Sequence, residues 1–164
     1  MKKAIVLALG LLILTMRQSI AQASEKEQKE AAMSAAIKKL IESKYFMFVP
    51  QTMIPQSGRT RPVTTPYDLR VMQDTLSADL PYIGRAYTSD YGSTDNSINF
   101  KTTGFQYDQQ DGKKGGWRIT ITPKNIRNVN KFSLDISTSG FTSLVVSSNT
   151  RQQISYNGYI QELR

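Results

Sequence analysis

Lys131-Phe132-Ser133-Leu134-Asp135-Ile136-Ser137-Thr138-Ser139-Gly140-Phe141-Thr142-Ser143-Leu144-Val145-Val146 is the most regular stretch of the chain. Phe132, Leu134 and Ile136 point one way, while Lys131, Ser133 and Asp135 point the other. A period of two marks a strand with one buried face. Ser139-Gly140 reads as a two-residue hairpin turn, and Phe141 to Val146 returns. Ser148 to Arg151 turns once more, and Ile154, Tyr156, Gly158 and Ile160 share one face of a final strand. Links this short force antiparallel neighbours.

The same grammar extends backwards. Trp117, Ile119 and Ile121 alternate with Arg118, Thr120 and Thr122 until Pro123 ends the run, and residues 125–128 form a connector. Asp108 to Gly116 carries three glycines and reads as a hairpin loop. Ile98 to Phe100 and Phe105 to Tyr107 are shorter strands, and Thr88 to Asn99 is a polar loop. Tyr67, Leu69 and Val71 alternate with Asp68, Arg70 and Met72, whereas Leu76 and Leu80 bracket a short polar segment. Tyr45 to Val49 has strand composition, and Pro50 and Pro55 predict an edge or a loop after it. The expected fold is mainly β, an antiparallel sandwich or small barrel of about eight strands.

A helix precedes the strands. Ser24 to Glu27 fits a capping box, and Met33, Ala36, Ile37, Leu40 and Ile41 recur on one helical face. The spacing predicts an amphipathic helix from about 25 to 43 that covers one face of the sheet or plugs one end.

Residues 1–23 read as a cleavable signal peptide: Lys2-Lys3, an apolar run from Ala4 to Thr15, then Ala21-Gln22-Ala23. The run is short of the roughly 20 residues a bilayer span needs. The expectation is one domain over 24–164, periplasmic or secreted, with no stable membrane insertion after cleavage. Losing Lys2, Lys3 and Arg17 lowers the formal charge from +8 to +5. The remaining basic residues are scattered, which does not suit nucleic acid.

Cysteine and histidine are both absent. That excludes disulfides, thiolate and ordinary zinc sites, cysteine nucleophiles and the Ser-His-Asp triad. No side chain has an unperturbed titration near neutrality. A carboxylate-pair hydrolase remains, but Asp68 and Asp135 fall on polar-facing strand positions. Asp90 to Asn96 has oxygen ligands without the register of a calcium loop. No cofactor or metal is expected.

One motif stands apart: Asp79-Leu80-Pro81-Tyr82-Ile83-Gly84-Arg85-Ala86-Tyr87. Tyr82, Arg85, Tyr87 and Tyr91 together suit a surface for a sugar, a peptide carboxylate or an anionic polymer. Arg151 and Tyr156 pose the same question near the far end. The competing reading makes all of these a lock on a strand crossing, with Pro81 fixing φ and Gly84 allowing close approach.

At Leu80 to Tyr87, at Gly116-Trp117-Arg118-Ile119 and at Asn149 to Gly158, the chain resembles domain of unknown function family 4251. The likeness runs from about Glu30 to Ile160. It implies a small, envelope-directed protein of Bacteroidetes-type bacteria and carries no activity with it. The functional expectation is a non-enzymatic binding module of the cell envelope for a small molecule, glycan or peptide, its ligand or partner unknown. A protein–protein interaction or structural role is the alternative, and an aspartate-dependent hydrolase stands behind both.

Overall fold

Ten strands follow one helix in the computed structural model, which describes residues 25–85, 87 and 97–163. The strands are β1 (Tyr45–Pro55), β2 (Arg61–Pro62), β3 (Asp68–Met72), β4 (Thr75–Pro81), β5 (Ser97–Thr102), β6 (Phe105–Asp111), β7 (Trp117–Pro123), β8 (Lys131–Ile136), β9 (Phe141–Ser147) and β10 (Ile154–Gln161). The sheet order is β5-β4-β3-β1-β10-β9-β8-β7-β6, with β2 attached to β1, and every pairing is antiparallel. The sheet of nine strands curls into a nearly closed barrel.

Period-two patterning sets what lies inside. Phe46 and Phe48, Leu69 and Val71, Leu76, Ala78 and Leu80, Ile119 and Ile121, Phe132 and Leu134, Leu144 and Val146, and Ile154 and Tyr156 form one continuous buried cluster. Each such large side chain contributes about 1.5–3 kcal/mol on burial, and the chain has no disulfide to share the load.

Strand parity determines how the barrel closes. Nine strands alternating in direction leave the two outermost, β5 and β6, running the same way. Only Thr103 and Gly104 separate them in sequence. They are therefore successive segments of one bent strand, the first pairing with β4 and the second with β7. The Lys124 amide donates to the Gly104 carbonyl at 2.7 Å, which carries the β7 side one step past Phe105. Closure runs through this covalent link and through side chains such as Phe100 and Phe132, whose ring centroids are 6.0 Å apart.

Helix α1 spans residues 25–43, as its periodicity predicts. It lies at the barrel end framed by the β3–β4 and β8–β9 turns. The Gln73 amide donates to the Lys44 carbonyl at 2.8 Å, and the Tyr107 hydroxyl donates to the Ile41 carbonyl at 3.1 Å. Ile37 and Ile41 are buried and Leu40 half-buried, while Met33 and Ala36 stay exposed. The apolar face is thus narrower than its spacing suggests. The first turns carry exposed i,i+4 pairs, Glu25 with Lys29 and Lys26 with Glu30. Ser24, and with it the capping box, lies outside the described residues, as does the proposed signal peptide.

Four expectations need correction. β6 runs on to Asp111, so the hairpin loop begins at Gly112 rather than at Asp108. β1 is a central strand of 11 residues, despite its prolines. Pro50 sits at a bulge between the Pro50–Gly158 and Thr52–Asn157 pairs, where β1 has left β3 and not yet met β2. Its missing N–H interrupts no ladder on that side, and Pro55 is the last residue of the strand. The segment bracketed by Leu76 and Leu80 is a full strand, β4, because Ala78 completes an inward row. The β8–β9 loop has three residues rather than two. The Ser137 amide donates to the Phe141 carbonyl at 2.8 Å, and Gly140 adopts φ +81°. The Gly140 amide also donates to the Ser137 carbonyl at 2.9 Å, so this is a β-turn closed by a left-handed residue.

At the β1 bulge the β10 backbone comes unusually close. A Cβ on Gly158 would collide with the Val49 carbonyl oxygen and lie 2.9 Å from Pro50 Cα. Gly158→Ala is expected to lower stability by about 1–3 kcal/mol in urea denaturation. An unchanged midpoint would mean that this approach is not a constraint on the fold.

Candidate functional site

The motif after β4 is where sequence reasoning placed its candidates, and hydrogen bonds now assign most of them. β4 ends at Pro81, and Tyr82 continues the inward row Leu76-Ala78-Leu80 into the barrel mouth, 5% exposed. Its hydroxyl lies 3.0 Å from the Gln152 carbonyl and 3.2 Å from the Arg85 carbonyl, so its single proton is shared between them. The chain then doubles back along the β9–β10 turn. The Gln152 amide donates to the Arg85 carbonyl (3.0 Å), the Arg85 amide to the Gln152 side-chain oxygen (3.2 Å), and the Tyr87 amide to the Thr150 carbonyl (2.7 Å). Gly84 is required by the tyrosine itself: a Cβ there would stand 2.5 Å from the Tyr82 hydroxyl oxygen.

Tyr156 fastens the same segment from below. It is fully buried on β10, and its hydroxyl donates to the Pro81 carbonyl at 2.6 Å. Burial pushes its phenol far above the usual value, with the neighbouring Tyr82 adding to the effect. Burial also raises Tyr82, partly offset by the Arg151 charge and by the bond to the Gln152 backbone. Tyr82, Tyr156 and the backbone of Arg85 and Tyr87 therefore form a latch between the end of β4 and the β9–β10 turn. The side chains of Arg85 and Tyr87 are exposed on its outside. Tyr91 and the Asp90 to Asn96 loop lie outside the described residues.

Arg151 has a double position. Its guanidinium stacks 5.2 Å from the Tyr82 ring centroid, and Nη1 donates to the Ser97 carbonyl at 3.0 Å. Beyond Tyr82 it lines a cleft of about 190 Å³ with Ser97, Asn99, Asn125, Arg127 and Asn128, floored by Ile126 and Val129. This cleft lies between β5 and the β7–β8 connector, at the mouth end of the barrel's seam. The connector is held down by Asn130, whose amide donates to the Ser147 carbonyl at 2.9 Å and whose side chain bonds Asn149. Among the described residues the lining carries two arginines and no carboxylate. The Asn99 side-chain amide donates to Asp79 at 3.4 Å, just outside it.

Sequence reasoning named only Arg151 among the cleft residues. The others come from two segments about 25 residues apart, and the available signal was a polar connector, residues 125–128, that looked like ordinary loop. Asp68 also departs from expectation. It is buried rather than solvated and pairs with Arg70 at 2.7 Å; Asp135 pairs with Arg118 at 2.7 Å. Among the described residues no three Asp or Glu side chains converge as a metal would need. No described helix is long and apolar enough to cross a membrane.

Comparison with known proteins bears on this architecture. The family model described as "Domain of unknown function (DUF4251)" matches residues 26–160. The chain belongs to the DUF4251 family. A crystal structure of a DUF4251 family protein from Bacteroides eggerthii DSM 20697 is similar to it, with a TM-score of 0.58 and 13% sequence identity. The match covers 81% of this chain and 91% of that one, and at this identity it speaks for the fold alone. No curated protein matches.

In this DUF4251 chain the latch makes a pH-dependent prediction. A phenol whose folded pKa is raised adds stability below the unfolded value of about 10 and loses it as pH rises through the folded value. Unfolding free energy is expected to hold level to about pH 9 and then fall, each such phenol adding a slope of up to about 1.4 kcal/mol per pH unit. Tyr156→Phe should cost about 1–3 kcal/mol at neutral pH by orphaning the Pro81 carbonyl, and should flatten the alkaline slope. Urea titrations across pH check both; an unflattened slope would contradict the assignment.

Proposed function

We propose that the protein is a non-enzymatic binding module of the cell envelope that takes an anionic group, a carboxylate, phosphate or sulfate, in the cleft beside Arg151. The carrying observation is the lining itself. Arg127 and Arg151, with Asn99, Asn125 and Asn128, surround a small concavity that has no acidic residue among the described residues lining it. Guanidinium forks match planar oxyanions in two-point geometry. Arg151 is already oriented by Ser97 and Tyr82, so little ordering remains to oppose binding.

Size narrows the ligand further. Pockets for whole drug-sized molecules run to about 300–1,000 Å³. About 190 Å³ suits a charged group with its immediate attachment, leaving the rest of a glycan or peptide in solvent. The absence of histidine and cysteine, together with the engagement of Asp68 and Asp135 by arginines, favours binding over catalysis. The N-terminal pattern over residues 1–23 supports export.

The test is thermal melting of the full chain and of Arg127→Ala with oligogalacturonate, acidic peptides, inorganic phosphate and sulfate. One class is expected to raise the melting temperature, by roughly 5–11 °C at one hundred times its dissociation constant. The shift should shrink with added salt and vanish in Arg127→Ala, whose unliganded melting is unchanged because Arg127 is exposed. The exported form should begin at Ser24. No shift with any probe, or a shift that survives Arg127→Ala, would overturn the reading.

A further inference from the structure

On the outer wall of the barrel, away from the mouth, cross-strand register aligns two unlike rows of side chains. Val49 on β1, Tyr159 on β10 and Phe141 on β9 are direct cross-strand partners. Tyr159 and Phe141 are 42% and 41% exposed, with ring centroids 5.5 Å apart in an edge-to-face contact at 78°. The next outward row runs Asn157, Ser143, Asp135 and Arg118, again in direct register. Arg118 Nε donates to Asp135 Oδ1 at 2.7 Å while both side chains stay about half exposed, 50% and 56%. Where the rows meet, Phe141, Ser143, Asp135, Arg118, Lys113 and Trp117 line a groove of about 230 Å³.

We infer that this groove is a second binding site, specific for a neutral saccharide unit. A sugar ring carries an apolar C–H face and a rim of hydroxyls, each able to donate and accept. Here Phe141, with Tyr159 edge-to-face beside it, offers the apolar platform. The ion pair beside it offers an acceptor in Asp135 and donors in Arg118, so adjacent hydroxyls find both polarities at once.

The aromatic area by itself is small for a macromolecular partner. An aromatic side chain presents about 150–250 Å² in all, so two at these exposures offer on the order of 200 Å². A stable protein interface needs about 800 Å² per partner. The site is independent of the mouth cleft, which shares none of these residues.

Trp117 is the only tryptophan in the chain and lines this groove, so its fluorescence reports on the site directly. The full chain is titrated with neutral gluco-, manno- and chito-oligosaccharides while Trp117 emission is followed. A saturable change is expected with at least one of them. It should weaken tenfold or more in Phe141→Ala and in Asp135→Asn, and persist in Arg127→Ala. Asp135 is exposed, so Asp135→Asn keeps the test informative should Phe141→Ala fold poorly. No saturable change with any oligosaccharide, or a change retained in both groove variants, overturns the inference. So does a dimer in light scattering that Phe141→Ala dissolves, since a second copy would then occupy the wall. Failure of the mouth cleft would show instead as loss of the anion-induced melting shift, with this titration intact.

Discussion

An odd number of antiparallel strands cannot close on itself by the antiparallel hydrogen bonding used everywhere else. That parity governs this molecule. β5 and β6 run the same way, so the sheet is joined through Thr103 and Gly104 rather than by a ladder across the seam. Side chains cross the interior instead: Phe100 on β5 packs against Phe132 on β8, and at the mouth Tyr82 and Tyr156 tie the end of β4 to β10 and the β9–β10 turn. The mouth cleft is a consequence of the same constraint. β5 and the β7–β8 connector face one another there, and Arg151 reaches across to the Ser97 carbonyl.

Much of this fold was legible because burial on one face writes itself as period two. β7, β8, β9 and β10 match their sequence runs nearly residue for residue, and the helix matches its own. The failures have identifiable causes. Ala78 is too small to announce the inward row of β4. Pro50 argues for an edge only if its N–H is needed, and at a bulge between two partners it is not. Parity itself was invisible, because it requires the count and order of all the strands.

The candidate site was legible in a different sense. Tyr82, Arg151 and Tyr156 do come together, yet residue type alone did not separate a binding surface from a latch, because both call for tyrosines and arginines with satisfied polar tips. What separates them is the acceptor each hydroxyl meets. Tyr82 and Tyr156 meet backbone carbonyls inside the barrel mouth, which assigns them to structure. Arg151 has one nitrogen on a carbonyl and its body against a cleft, which leaves it available to both roles. Asn125, Arg127 and Asn128 carried no signal, since a polar connector means nothing until its neighbours across the seam are known.

Leu80 to Arg85, together with Tyr87, form a latch across the barrel mouth. Amide hydrogen exchange at Tyr87 and Gln152 reports on this latch, because these two amides form the backbone-to-backbone bonds between the motif and the β9–β10 turn. In Tyr82→Phe both should exchange faster by roughly tenfold or more, about 1.4 kcal/mol of local protection, while β8 and β9 amides keep theirs. Equal protection in variant and wild type would contradict the latch and return Tyr82 to the list of candidate binding residues.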